Sequence, residues 1–200
     1  MRIFIVVVYY LPSPKSSATL IHDLGQELLT QGHSVSIITT SETLDTSYSL
    51  SFENGLEILR IKTGKVDGAN LIVRFFNELL LSYTILYKGR NFFSNKKCDL
   101  ILWYSPSIFF SYLIKKLKSK YKCSAYLILR DIFPQWALDT GVLRKGFVFN
   151  LLSYFERQQY KYADKIGVQS PNNLLYFSDK KLADTADRQT EAQNSESGGL

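Results

Sequence analysis

Apolar positions in this chain follow two rhythms that alternate from end to end: short continuous runs, and stretches in which they recur every three to four residues. The first rhythm suits strands buried on both faces, the second suits helices that cover them. Ile3 to Val8 is the opening run, rich in β-branched residues, and its unbroken hydrophobicity predicts a central strand of a parallel sheet. Leu20, Ile21, Leu24 and Leu28 then keep the helical period, with Ser16 or Ser17 available as a cap and Gly32 as the stop. Val35 to Thr39 and Leu56 to Ile61 read as the second and third strands, and Leu71 to about Lys88 as the helix that follows. Leu100 to Tyr104, a helix over 107–119, a strand over 125–129, a helix over 146–162 and a strand over 165–168 continue the alternation. Elements of these types and lengths predict an α/β fold, a Rossmann-like doubly wound parallel sheet. No internal repeat is present.

Composition bounds this picture. With 200 residues, 46% of them hydrophobic and 14% aromatic, the chain can build one full core. From about Asp179 the character changes, because Lys181 to Leu200 contains no aromatic residue, no Ile and no Val. The expectation is a domain over residues 1–178 and a flexible tail, or one frayed helix, over 179–200. The start of the chain has no small-residue cleavage site and reads as a strand rather than a signal peptide. The segment Leu71 to Tyr87 is interrupted by Arg74, Asn77 and Glu78, which makes it too short and too polar to span a bilayer. Cys98 and Cys123 stand outside any zinc-like spacing and read as free thiols in a reducing compartment, and no metal site is expected.

Charge is unevenly spread. The formal net charge is +6, and between Arg74 and Lys122 ten Lys or Arg face only Glu78 and Asp99. Such a surface favours anionic lipid, polyphosphate or nucleic acid, unless it is an ordinary solvated face. The helix over 71–88 is apolar on more than one side and is followed by Arg90, Phe92, Phe93, Lys96 and Lys97, a combination suited to a membrane interface or to packing against a partner domain. The interleaving of its aromatics with Leu and Ile disfavours nucleic acid.

Candidate chemistry collects where strands end. The loop Tyr9 to Ser17 leads into a helix N-terminus, where free backbone N–H groups with Lys15, Ser16 and Ser17 favour phosphate or sugar hydroxyls; plain helix capping also accounts for the serines. There is no Gly-x-Gly-x-x-Gly, which weighs against a dinucleotide oxidoreductase. Arg130 and Asp131 follow the strand over 125–129 on the carboxyl edge, where ligands of open α/β sheets bind. Asp131 is a candidate to orient a hydroxyl, take its proton or stabilise developing positive charge; the competing reading is an Arg130–Asp131 ion pair that braces the loop. Trp103 and Tyr104 end the preceding strand and offer an aromatic platform for a sugar ring, against core packing for Trp103. His22 and His33 read as packing or capping residues, and Glu156, Arg157, Lys161 and Asp164 as a solvated helix face.

Four stretches carry a resemblance. "RDIFPQWALDTGVL", with "IVVVYYLPSPKSSATLIHDLGQELLTQGHSVSIITT", "KKCDLILWYSPSIFFSYLIKKL" and "FERQQYKYADKIGVQSP", resembles in order the N-terminal half of family 4 glycosyltransferases of the branch that builds bacterial surface polysaccharides such as O-antigen or capsule. The resemblance implies one half of a GT-B fold. It also implies a retaining transfer from a nucleotide-sugar donor to a polyprenyl-diphosphate-linked sugar acceptor, without metal or other cofactor, at the cytoplasmic, inner face of the bacterial plasma membrane. It places Lys15, Ser16 and Ser17 near donor phosphate and acceptor, and adds Ser170 as a cleft candidate by its match to the family's serine. Arg130 stands where many members carry histidine, so that histidine's role does not carry over unchanged. The family's donor-binding domain does not follow residue 178, so little turnover is expected of this chain alone. The alternative is a non-catalytic membrane-docking or partner-binding module on the same scaffold.

Overall fold

The computed structural model describes all residues except 66, 67, 69, 106, 171, 172, 174, 175, 178–189 and 193–200. Eight strands form one sheet: β1 (Arg2–Val6), β2 (Ser34–Ser41), β3 (Tyr48–Glu53), β4 (Leu56–Lys62), β5 (Leu100–Tyr104), β6 (Ser124–Leu129), β7 (Lys165–Val168) and β8 (Thr190–Ala192). Their order is β3-β4-β2-β1-β5-β6-β7-β8, and every pair is parallel except β3 with β4. β1 lies centrally, as its unbroken apolar run requires, and all but its first residue are buried. The chain winds outward from β1 in both directions, so the strand order reverses between β1 and β5.

Helix α1 (Ser16–Thr30) covers one face, where Ile3, Ile5, Ile21, Ile37, Leu56, Ile58 and Leu102 share a core. The other face carries α2 (Leu71–Leu79), α3 (Leu81–Lys88), α4 (Arg90–Ser94), α5 (Ser111–Tyr121) and α7 (Phe147–Tyr162), with the short α6 (Gln135–Asp139) at the carboxyl edge. Phe4, Ile38, Leu59, Trp103, Phe110, Leu113, Leu127 and Ile166 form the core beneath them. Burial of this many large side chains, each contributing about 1.5–3 kcal/mol, is what opposes chain entropy.

Five elements differ from the pattern reading, two of them the short α4 and α6, where no helix was expected. β3 was not foreseen: it pairs antiparallel with β4 through a tight turn at Asn54 and Gly55, whose φ values of 51° and 83° are those a two-residue hairpin demands. The helix over 71–88 is broken at Leu80, so that α3 turns Leu81, Ser82 and Ile85 inward while α2 presents its own face. Thr190–Ala192, in a stretch read as flexible or frayed helix, pairs parallel with Ile166–Val168; the rest of the span from 179 lies outside the described residues. At β7 the sheet also favours Gly167, because a Cβ there would overlap the Tyr126 ring and hydroxyl on the neighbouring strand.

Candidate functional site at the carboxyl edge

The reversal point between β1 and β5 is where open α/β sheets hold their ligand crevice, on the carboxyl edge, and three side chains from distant parts of the chain meet there. The Arg130 guanidinium, released from the end of β6, donates to the Tyr104 hydroxyl and to Ser16 Oγ, each at 3.1 Å. Tyr104 ends β5 and is buried; Ser16 opens α1 and is exposed. Hydrogen bonding to Tyr104 is the main cause that raises the Arg130 pKa above its usual value, so the cation is permanent. One charged group is thus held by a neutral scaffold at a strand switch point, with donors left over for a ligand oxygen.

Each sequence candidate finds a definite place. Lys15 is the cap position of α1, yet no side chain caps this helix: Ser16 turns its hydroxyl toward Arg130 instead. That corrects the reading of Ser16 or Ser17 as a cap. The Lys15 ammonium lies 4.9 Å from the centre of the Tyr9 ring, and Ser17 is half-buried in the first turn. Asp131 is exposed beside the crevice and forms no ion pair with Arg130 among the described residues, because the guanidinium is turned to Tyr104 and Ser16. The bracing ion pair considered from sequence is therefore not what orders this loop. Phe133, whose N–H bonds the Asp131 carbonyl at 3.1 Å, and Trp136 at the start of α6 hold it instead. Ser170 follows β7 on the same edge and is half-buried.

Trp103 is corrected outright. Its side chain has no exposed area and lies in the core under the helices, on the opposite side of β5 from Tyr104, so it offers no platform to a sugar. Strand alternation decides this: of two consecutive aromatics, only one can turn toward α1. Glu156 is corrected as well. It is buried, not solvated, and its Oε1 accepts from Tyr160 at 3.0 Å and Tyr176 at 2.8 Å.

Sequence reasoning missed a second network that fixes the loop before α1. Tyr10 hydrogen bonds His22 Nδ1 at 2.8 Å, and Arg60 on β4 donates to the Leu11 carbonyl at 2.9 Å while pairing with Glu53 at 2.7 Å. Burial pushes the Tyr10 phenol up to about 12, and the Arg60 partner holds the Glu53 carboxyl below its usual value. Thr39 and Thr40 add hydroxyl bonds to the Val8 carbonyl at 3.0 and 2.9 Å. The Gly-free loop is thereby anchored from β2 and β4, ahead of the Lys15 to Ser17 end that meets Arg130 through Ser16.

Part of the basic stretch is spoken for. Lys96 pairs with buried Glu57 at 2.6 Å, Lys118 with Asp164 at 2.7 Å, and Lys88 and Lys120 donate to the Lys62 and Phe93 carbonyls. Around them α2 and α3 expose Val73, Phe76, Leu80, Tyr83 and Tyr87, and Tyr83 stacks on Tyr112 at 4.4 Å. Among the described residues no helix is long and apolar enough to cross a membrane, and no cluster of three or more His, Cys, Asp or Glu could hold a metal.

A doubly wound sheet with its polar groups gathered at the switch point is a Rossmann-like architecture, the kind that makes up each half of the GT-B fold. Solved structures of that fold superpose on the chain. A sucrose-phosphate synthase from Thermosynechococcus elongatus aligns with 96% of the chain at a TM-score of 0.68 and 11% identity, over 47% of its own length. An α,α-trehalose-phosphate synthase (UDP-forming) from Burkholderia xenovorans, in complex with glucose-6-phosphate, aligns with 90% of the chain at 0.62 and 13% identity, over 43% of its length. UGT2 of Phytolacca americana, complexed with UDP-2-fluoro-glucose and pterostilbene, aligns with 96% at 0.56 and 14%, over 52% of its length. At these identities the likeness is one of fold, and the chain spans about half the length of each. No protein-family model and no curated protein matches the sequence.

Proposed function

We propose that this chain is the acceptor-side half of a retaining glycosyltransferase that moves a sugar from a nucleotide-diphosphate donor to a polyprenyl-diphosphate-linked acceptor in surface polysaccharide synthesis. The observation that carries the reading is the Ser16–Arg130–Tyr104 cluster at the switch point of a GT-B-like sheet. A fixed cation there suits the diphosphate of either substrate, and the uncapped start of α1 adds backbone N–H groups to the same crevice. Asp131, unpaired with Arg130 and exposed at the rim, is the candidate to orient or deprotonate the acceptor hydroxyl or to balance charge on the departing sugar. The exposed aromatics of α2 and α3 support docking at an anionic membrane surface, where a lipid-linked acceptor resides.

The test is kinetic. In a chain that carries this domain together with a donor-binding domain, Asp131→Asn lowers turnover by about 100-fold or more while folding changes little. Near-normal turnover would return Asp131 to the loop's architecture. The exposed aromatic face is also what a non-catalytic docking module would need, and vesicle sedimentation of an Arg130→Met variant separates the two. Loss of turnover with intact, salt-sensitive binding to anionic vesicles supports the enzyme; binding with no turnover in the unaltered two-domain chain supports the module.

A further inference from the structure

Two thiols stand together at the edge of the sheet opposite the crevice. Cys98 lies two residues before β5 and Cys123 one residue before β6, and the parallel pairing of Leu100 with Ser124 brings these two entry points side by side. Cys98 is buried and its Sγ donates to the Leu100 carbonyl at 3.2 Å, while Cys123 is half-buried. Both belong to one apolar cluster, beneath Phe4, Phe92, Phe93 and Tyr121. The Tyr121 ring packs edge-on against Phe4 at 5.6 Å, and its hydroxyl is engaged by the Phe93 carbonyl at 2.6 Å. No third metal ligand completes the pair among the described residues, so the geometry is that of two sulfurs alone.

The two sulfurs are not equivalent. The neighbouring Cys98 thiol and the Lys118 ammonium lower the pKa of Cys123, whereas Cys123 and burial hold Cys98 as a thiol. The partly accessible sulfur is therefore the better nucleophile, and the enclosed one is poised behind it.

We propose that Cys98 and Cys123 form a peroxide-oxidisable dithiol, a modification site that closes a disulfide between the entry loops of β5 and β6. The Cys123 thiolate attacks hydrogen peroxide, forming an S–O bond as the O–O bond breaks, and the departing hydroxide leaves as water with the thiol's proton. Cys98 sulfur then attacks the sulfenyl sulfur, the S–O bond breaks, and a second water leaves with the Cys98 proton. Two thiols lose two electrons to one peroxide, which ends as two waters. The bridge encloses α5 in a covalent loop and lies at the amino edge, away from Arg130, so it stabilises the sheet without occupying the crevice.

Peptide mapping of the whole reduced chain after equimolar peroxide provides the test. The expected result is a mass loss of about two hydrogens, a Cys98–Cys123 linked peptide, reversal by dithiothreitol, and a thermal midpoint raised by about 5–10 °C for a closed loop of roughly 25 residues. Cys98→Ser, or Cys98→Ala should the serine variant fold poorly, should stop at a Cys123 sulfenic acid that dimedone traps. Over-oxidation of Cys123 with Cys98 left as a thiol, a bridge between two chains, no reaction, or a mapped bridge with a lowered midpoint would each overturn the proposal.

Discussion

Glu156 offers the sharpest test of how the helical layer is held. Only 2% of the residue is exposed, and its Oε1 receives the hydroxyls of Tyr160, one turn further along α7, and Tyr176, beyond β7. Desolvation raises the pKa of both phenols, so both remain donors throughout the neutral range. In Glu156→Ala the acceptor disappears and two hydroxyls lose it at once. Each loss is worth about 1–3 kcal/mol where the group is buried, and the lost side-chain volume adds a cavity term, for a total of about 3–5 kcal/mol. Glu156→Gln keeps a carbonyl oxygen at Oε1 and removes only the charge, so its cost is about 1–2 kcal/mol. Urea unfolding separates them: with a slope of about 2 kcal/mol/M, the alanine variant unfolds at roughly 2 M less urea and the glutamine variant at less than 1 M less. Equal, small shifts for both would show that the tyrosines do not depend on this carboxylate.

Other outcomes follow from the same contacts. A double-mutant cycle on Arg130→Met and Tyr104→Phe should give a coupling of about 0.5–1.5 kcal/mol in urea unfolding, and additivity would mean that the crevice bond is not made in solution. Hydrogen bonds from Arg2 push the Asp99 carboxyl down to about 2. Its contribution is therefore complete above the unfolded value of 3.8 and is lost as pH falls toward about 2, which carboxyl-detected NMR titration checks directly. Gly167→Ala must displace the Tyr126 ring, so it should destabilise by about 1–3 kcal/mol in thermal melts, and a neutral result would show that ring to be free to move.

The strands and most helices were legible because each is announced by its own apolar rhythm; β7, for instance, spans the same four residues that its pattern predicted. β3 was missed although its turn was written locally as Asn54-Gly55. Its apolar residues Tyr48, Leu50 and Phe52 face outward, so they lacked the meaning an inward stripe would have had. The carboxyl edge was legible as a place, since topology alone sends Ser16, Tyr104 and Arg130 there. Which groups would bond was not. Arg130 chose a phenol and a serine over the adjacent Asp131, partners set by tertiary packing that leave no trace in local spacing, and Glu156 chose Tyr160 one turn along its helix and the more distant Tyr176 because burial, not spacing, decides which neighbour it meets. Part of the basic run is likewise paired from far off in sequence, with Glu57 and Asp164 taking up Lys96 and Lys118.

The bond between Ser16 and Arg130 joins residues 114 positions apart, whereas the Asn54-Gly55 hairpin closes within a few. Closing a loop that long costs chain entropy that no local contact repays. The crevice can therefore exist only after β1 and β6 have both taken their places beside β5, and it should be among the last features to form as the domain folds. During synthesis, at about 5–20 residues per second, the β3–β4 hairpin has several seconds to form before Arg130 is even made. The cluster is in this sense a completion signal: a chain whose Arg130 is hydrogen-bonded to Ser16 has already set β1, β5 and β6 side by side at the centre of its sheet.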